Sequence, residues 1–378
     1  MNIRHIEAIP LLVKLDRAFH GGTYAITNRA TVVTRVELEG GVVGETYGGD
    51  DDQNLERICR IVNEVYAPLL AGRDVRDVER LWQMMWDAPV EYRWRGMHAL
   101  NVSKYAVVTQ AIAAVDNAVW DALGKALKQP VYRLIGGYAG RVRAIATGGY
   151  MNASGSEDVA AEVERITSGG ITGMKLKVGK LSVEEDIERT HMARRAGGPD
   201  FLLAVDANQA WQVDEAVRFA RAVRDLDLAW LEEPVVWYDQ VEGNARVRQE
   251  GVPINLGQGE ITRQGCRDFL LRGAADILNV DVTFAPGVTE WRRIAAMAHS
   301  FGARMGHHEE PQLAVHLLAG VPHGLAVEVF PDPARDPLWA ELPVQRPAIV
   351  DGYMIAPDRP GFGIDLNHDV IEKYRVRG

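Results

Sequence analysis

Residues 174–234 decide how this chain is read: Met174-Lys175-Leu176-Lys177-Val178, then Leu202-Leu203-Ala204-Val205-Asp206-Ala207-Asn208, then Trp230-Leu231-Glu232-Glu233-Pro234. Each is a short apolar run that carries or stops at charged groups, and helix-like stretches lie between them. Working outward, the same rhythm recurs at residues 143–149, 254–256, 277–280, 303–306 and 325–330, which makes eight strand candidates after Gly136-Gly137. Eight strands with intervening helices predict an α/β fold, a (β/α) barrel of TIM type, for which roughly 250 residues is ordinary. An open doubly wound sheet is disfavoured. No Gly-x-Gly-x-x-Gly turn follows a first strand, and the reactive groups are spread over many successive strand ends.

The flanks read differently. Alternation of apolar and polar residues at 3–6 and 31–38 predicts strands, and Gly40-Gly41 predicts a hairpin turn between strands. Residues 54–86 take a helical period interrupted at Pro68 and Gly72, and 105–127 form a long alanine-rich amphipathic helix. The expected organisation is an N-terminal α+β capping domain over 1–137, the barrel over 138–332, and a segment over 333–378. That last segment, with Pro347, Pro357 and Pro360, is expected to be extended and to pack back on the cap.

Composition narrows the function. A chain of 378 residues with 47% apolar content can bury a sizeable core, and a net charge of −10 disfavours nucleic acid as a partner. An anionic small substrate stays compatible with that charge if lysines and a metal make the pocket locally positive. The apolar stretch at 11–13 is too short for a signal segment or a membrane span, so no membrane association is expected. Cys59 and Cys266 lie far apart with no zinc or disulfide spacing, which fits a reducing, cytoplasmic setting.

The strand ends carry the chemistry. Asp206, Glu232 and Glu260 are carboxylates on three successive strand ends, hard oxygen ligands suited to Mg²⁺ or Mn²⁺. Singly, each reads more readily as a helix cap or a surface acid; their joint placement argues for a metal site. Lys175 and Lys177, two apart, share one strand face, where desolvation and mutual repulsion are expected to depress a lysine pKa towards general-base work. An exposed polar face is the plainer alternative. Asp281 and His308 close neighbouring strands, so the aspartate can fix the tautomer of the imidazole. His307 is expected to point the other way. The run His308-Glu309-Glu310-Pro311-Gln312 is not a zinc-protease motif, because Gln312 stands where the second histidine is needed. Glu328 is an acid among apolar neighbours, and if it points inward it suits donation to a developing enolate oxygen. His98, His316 and His323 are read as structural.

These residues, in this order, resemble the enolase superfamily and its mandelate racemase subgroup. The resemblance covers nearly the whole chain, from the helix with Asp116-Asn117-Ala118-Val119-Trp120-Asp121 and the following Gln129-Pro130-Val131-Tyr132 to Asp351-Gly352-Tyr353 and Pro360-Gly361-Phe362-Gly363. It implies Asp206, Glu232 and Glu260 as Mg²⁺ ligands, Lys177 as base on one face of the substrate α-carbon, and Lys175 beside the substrate carboxylate. It further implies His308, oriented by Asp281, as acid/base on the opposite face, Glu328 as electrophilic donor, and Asn208 facing the pocket. One departure stands out: after Val252-Pro253 the family's third ligand falls nearer Gln258 than Glu260, and the two would share a strand face. The reading favours Glu260 for its charge.

The implied reaction is metal-dependent removal of a proton α to a carboxylate. Dehydration of a sugar acid or other hydroxy acid is preferred, racemisation or epimerisation comes second, and an inactive acid-sugar binding protein is the reading from another class. Specificity is expected in cap segments at 19–24 and 47–50, with His20, Tyr24 and Glu309 as substrate-binding candidates, and in 92–98. The resemblance also implies a homo-oligomer.

Overall fold

The computed structural model describes residues 1–88, 103–152, 155–156 and 158–377. The chain opens with an antiparallel sheet of β1 (Ile3–His20), β2 (Ala25–Leu38) and β3 (Val43–Gly48), and β1 pairs with β2 from Ile3 opposite Leu38 to His20 opposite Ala25. Helix α1 (Leu55–Ile61) runs through a π turn at Val62–Tyr66 into α2 (Ala67–Leu70), followed by α3 (Val78–Trp86), α4 (Ser103–Leu127) and α5 (Val131–Leu134). Pro68, which has no N–H to give, directly follows the π turn at the start of α2, and Gly72 at φ +75 follows the end of the helical run. The cap docks on the barrel through buried indoles: Trp82 Nε1 donates to the Pro286 carbonyl at 2.7 Å, and Trp120 Nε1 to Thr289 Oγ1 at 3.0 Å.

The barrel begins with β4 (Arg141–Gly148) and a small hairpin, β5 (Met151–Asn152) and β6 (Gly155–Ser156). Then come α6 (Val159–Ser168), β7 (Gly173–Lys177), α7 (Val183–Gly197), β8 (Leu202–Asp206), α8 (Val213–Val223), β9 (Trp230–Glu232) and α9 (Glu242–Arg248). It continues with β10 (Ile254–Leu256), α10 (Arg263–Leu271), β11 (Ile277–Leu278), α11 (Gly287–Ser300), β12 (Arg304–Met305), α12 (Pro311–Gly320) and β13 (Ala326–Val329). Parallel pairing runs from β12 through β11, β10, β9, β8, β7 and β4 to β13. The circle closes where Met305 N donates to the His323 carbonyl at 2.9 Å and Leu325 N to the Met305 carbonyl at 2.8 Å. All eight expected strands are present. Caps explain where several helices start: Asp158 for α6, Thr262 for α10, and a Ser182/Glu185 capping box for α7.

The interior follows the period of two that strands impose. Ile145, Ala204, Trp230, Ile277 and Ala326 form an apolar floor. Two residues further along the same strands stand Thr147, Asp206, Glu232, Asn279 and Glu328, all buried. Above an apolar plug the barrel thus carries a polar ring at its C-terminal mouth.

The C-terminal segment does more than the sequence suggests. After α13 (Pro337–Glu341) come β14 (Ile349–Val350), β15 (Tyr353–Ile355) and α14 (His368–Tyr374), and β15 pairs antiparallel with the barrel strand β4. It also packs on the cap, where Leu338, Leu342, Ile364, Leu366 and Ile371 join Ile9, Leu11 and Val33 in one cluster. Among the described residues no helix is long and apolar enough to cross a membrane. Leu342 is wholly buried in the cluster of cap and tail, so Leu342→Ala should cost about 3 kcal/mol through lost burial and a cavity. A lowered thermal midpoint with earlier proteolytic release of the tail is expected; an unchanged midpoint would show that the cluster does not anchor it.

Candidate active site

Lys175 is fully buried at the centre of the polar ring. Its Nζ lies 2.8 Å from Glu232 Oε1 and 3.4 Å from Asp206 Oδ2, and it also contacts Glu328 Oε1. Lys177 Nζ donates to Asp206 Oδ2 at 2.6 Å and to Asn208 Oδ1 at 3.1 Å. Asn208 takes a left-handed φ of +47, and its amide donates to Asp206 Oδ1 at 2.9 Å. Glu232 Oε2 accepts from Trp230 Nε1 at 2.8 Å and Asn255 Nδ2 at 3.2 Å, and Thr147 Oγ1 donates to Glu328 Oε2 at 3.3 Å.

The charge states differ from the expectation of a depressed lysine. Burial does oppose charge on Lys177, but the carboxylate of Asp206 outweighs it and carries the pKa well above the ordinary lysine value. Lys175 is raised in the same way: burial opposes its charge, and Glu232, Glu328 and Asp206 together overcome that. Against the effect of burial, the two ammonium groups hold Asp206 below the usual carboxylate range. Burial pushes Glu232 up to about 8. Two cations therefore share one network with three carboxyl groups.

The Asp281/His308 pair lies just past β11 and β12. His308 Nδ1 donates to Asp281 Oδ2 at 2.8 Å, while Asp281 Oδ1 accepts from Thr283 N at 2.7 Å and Thr283 Oγ1 at 2.6 Å. Burial works against a charged imidazole, yet the bond to Asp281 and the field of Glu309 raise His308 to about 10. His307 is 1% exposed, accepts from Val282 N at Nε2 and donates from Nδ1 to the Glu309 carbonyl, a packing role. His316 is likewise tied between Tyr132 N and the Phe362 carbonyl, and His323 bonds the Ala295 carbonyl.

Glu260 does not join the ring. β10 stops at Leu256, Gly257 has φ +119, and Glu260 N turns back to the Gly257 carbonyl. Alternation ends there, and the Glu260 carboxylate accepts from Thr262 N and Thr262 Oγ1 at the start of α10. Among the described residues no group of three or more His, Cys, Asp and Glu side chains forms a metal cage. Asn255 bonds Glu232 through its Nδ2, and other amide groups near the strand ends are left unpaired. Gln258 Oε1, Asn255 Oδ1 and both side-chain amide atoms of Asn279 are buried without a hydrogen-bond partner. A divalent cation fits this donor set, because two adjacent buried carboxylates carry charge and an unpartnered amide oxygen can complete them.

Cap loops reach the barrel mouth. Thr23 Oγ1 donates to the Asn208 carbonyl at 2.9 Å, and the rings of Tyr24 and Tyr150 stand 5.5 and 5.9 Å from Lys177 Nζ. His20 ends β1 opposite Met151 of β5. A cavity of about 490 Å³ opens beside them, lined by Phe19, Thr147, Tyr150, Glu162, Phe330 and Arg335 among others. Glu309 is committed elsewhere: it pairs with Arg29 at 2.7 Å and with Arg335, so its carboxylate is not offered to a substrate. Segment 92–98, with His98, lies outside the described residues. Thr147, Tyr150, Asn255 and Asn279 went unread in the sequence. For Thr147 and Asn279 the signal was present, since each stands two residues past an inward apolar residue.

Residues 11–136 match the mandelate racemase / muconate lactonizing enzyme N-terminal domain, and residues 158–370 the enolase C-terminal domain-like family. The chain is 33% identical to the 3,6-anhydro-alpha-L-galactonate cycloisomerase of Streptomyces coelicolor over 97% of both chains. It is 30% identical to the arabinonate dehydratase of Saccharolobus solfataricus, covering 92% of this chain and 91% of the other. A crystal structure of a mandelate racemase/muconate lactonizing enzyme from a marine actinobacterium in complex with magnesium superposes with a TM-score of 0.90 at 40% identity, over 100% of this chain and 99% of that one. With both halves matched and the ring and histidine pair carried by the same barrel, the chain belongs to the mandelate racemase/muconate lactonizing enzyme family of the enolase superfamily.

Proposed function

We propose that this chain is a cytoplasmic, homo-oligomeric lyase that removes the α-proton of a sugar-acid carboxylate and expels the oxygen on the β-carbon. The observation that carries this reading is that one barrel mouth holds two proton-transfer groups, each on its own aspartate: Lys177 on Asp206 at 2.6 Å and His308 on Asp281 at 2.8 Å. Lys177, as neutral amine, takes the α-proton, and the electron pair of the C–H bond moves into an enolate. His308 carries its proton at neutral pH and gives it from Nε2 to the β-oxygen as the C–O bond breaks. The enol then tautomerises to a 2-keto acid. Lys175, a buried ammonium paired with Glu328, adds positive charge beside the substrate carboxylate and the developing enolate, and Glu328, bonded by Thr147, holds it there. Asn208 and Tyr24 border the amine, and His20 lies at the same rim.

Magnesium would be held by Asp206, Glu232 and Gln258, with Glu260 set aside. Bound there, it would supply charge for the enolate and compete with Lys177 for Asp206, leaving the amine free to lose its proton. Dehydration and ring-opening cycloisomerisation are one reaction at these residues. The relative named for 3,6-anhydro-galactonate acts on an acid whose bridge puts an ether oxygen on carbon 3, β to the carboxylate. There the leaving oxygen stays tethered, whereas in a dehydratase it departs as water.

Incubation of a panel of aldonic, aldaric and anhydro-aldonic acids with Mg²⁺ in D₂O should give a 2-keto-3-deoxy product by NMR. Deuterium at the α-carbon with inverted configuration and an intact β-oxygen would make the chain a racemase or epimerase instead, and ligand binding with neither change would make it a binding protein. On an active acid, Lys177→Met should lower kcat by about a thousandfold while the Mg²⁺-induced rise in melting temperature persists. Gln258→Glu should tighten Mg²⁺ binding by about tenfold through the added charge, read by calorimetry; unaltered affinity would remove Gln258 from the ligand set. The histidine pair sets a pH window. His308 binds its proton more tightly folded, at about 10, than at the ordinary 6.5, so its contribution is fully present below 6.5 and is lost as pH rises through 10. The melting-temperature gap between the native chain and Asp281→Asn should be widest near about pH 6 and close towards about pH 11. A gap that ignores pH would show that the pair does not carry this charge.

A further inference from the structure

We infer that the capping domain positions the imidazole of His308, because Arg29 and the backbone amide of Gly49 anchor the two residues after it in a backbone conformation that the barrel alone does not favour. Glu309 and Glu310 have φ of +48 and +46. Two consecutive non-glycine residues in the left-handed region are uncommon and persist where surrounding contacts over-determine them. Each one's carboxylate is gripped by the cap. Arg29 Nη2, on β2, donates to Glu309 Oε2 at 2.7 Å, and Gly49 N, just past β3, donates to Glu310 Oε1 at 2.7 Å.

The grip is buried and shared. Arg29 is 5% exposed, Glu309 6% and Glu310 7%. Arg29 also reaches Asp336 at 3.2 Å and Asp50 at 3.5 Å, and Arg335 of the tail closes on Glu309 from the other side. Gly48 completes the contact: a Cβ there would come within 2.6 Å of Thr283 Cγ2 and 3.4 Å of the Glu310 carboxyl carbon. One cap turn therefore rests on Thr283, which bonds Asp281, and on Glu310, two residues from His308. The other end of the network approaches Lys177, because Arg335 Nε donates to the Tyr150 hydroxyl at 3.2 Å and the Tyr150 ring stands 5.9 Å from Lys177 Nζ. Arg29 is on this view a positioning residue that acts through Glu309.

The consequence for turnover rests on the proposed acid role of His308; the decisive measurement does not. Charged and titratable groups around His308 are Asp281, Glu309, Glu328, Asp50, Glu233 and His307. In ¹⁵N-histidine-labelled protein, the imidazole missing from His308→Asn is followed by long-range ¹H–¹⁵N NMR against pH in the native chain, Arg29→Met and Arg29→Lys. Taking away the Arg29 charge leaves Glu309 less balanced, which by electrostatics alone raises the proton affinity of His308. Positioning predicts the reverse: as the turn relaxes and the bond to Asp281 is lost, the affinity falls by about tenfold or more and the downfield Nδ1 proton signal disappears. Arg29→Lys keeps the charge without the forked geometry and should move the same way by less, and it decides the matter if Arg29→Met does not fold. An unchanged or raised affinity with the Nδ1 signal intact overturns the inference. On an acid found active, Arg29→Met should slow elimination more than α-hydrogen exchange, since exchange depends on Lys177; equal losses would point to a general structural defect.

Discussion

A single buried ammonium organises the barrel mouth. Lys175 is inaccessible to solvent and meets carboxylates from three other strands, Asp206, Glu232 and Glu328. Removing any of these charges from water costs on the order of several kcal/mol, and mutual attraction returns it only where geometry is good and the remaining hydrogen bonds are filled. Here they are filled by Thr147, Trp230, Asn208 and Asn255. The ring is thus one electrostatic unit. Changing one member alters the charge state of the others, which is why Lys177 is raised where two neighbouring lysines alone would lower each other.

The floor beneath the ring makes this possible. Strand pairing puts Lys177 beside Asp206 and Asp206 beside Glu232 in register. The inward positions two residues earlier, including Trp230, Ala204 and Ile145, are apolar. Among the described residues this apolar layer shields the charges from below, which strengthens their pairing, and the cap overhangs the mouth above them. Fold and site are therefore set by the same alternation.

That alternation is also what made so much legible in the sequence. The barrel, its strands, both lysines, Asp206, Glu232, Glu328 and the Asp281/His308 pair all follow from short apolar runs with reactive groups at a period of two. Glu260 is off the strand face that the alternation predicts for it, because the period cannot be carried past Gly257, where the strand has already ended and the backbone turns. The direction of the Lys177 pKa was misread because a lysine next in sequence is visible and an aspartate on the adjoining strand is not. The Arg29, Glu309 and Arg335 network was invisible for a deeper reason. Its partners lie 280 and 26 residues apart along the chain, and no local pattern marks an arginine on a cap strand as the partner of a residue after the seventh barrel strand.

Charge links the substrate to the metal. Lys175 and Lys177 face Asp206, Glu232 and Glu328, so the ring carries no positive charge in excess of its carboxyl groups, within a chain that is itself at −10. Arg29 and Arg335 are no reserve of positive charge, since they are matched by Glu309, Asp336 and Asp50. A carboxylate substrate alone would therefore enter a ring with no spare positive charge to hold it, and a divalent cation alone would meet Asp206 and Glu232 with a neutral amide at the proposed third position. Each supplies what the other lacks. With Gln258 in the third position proposed above, the site would give up affinity for the free cation and leave a larger share of its charge for the substrate carboxylate, so the two ligands would bind most favourably together.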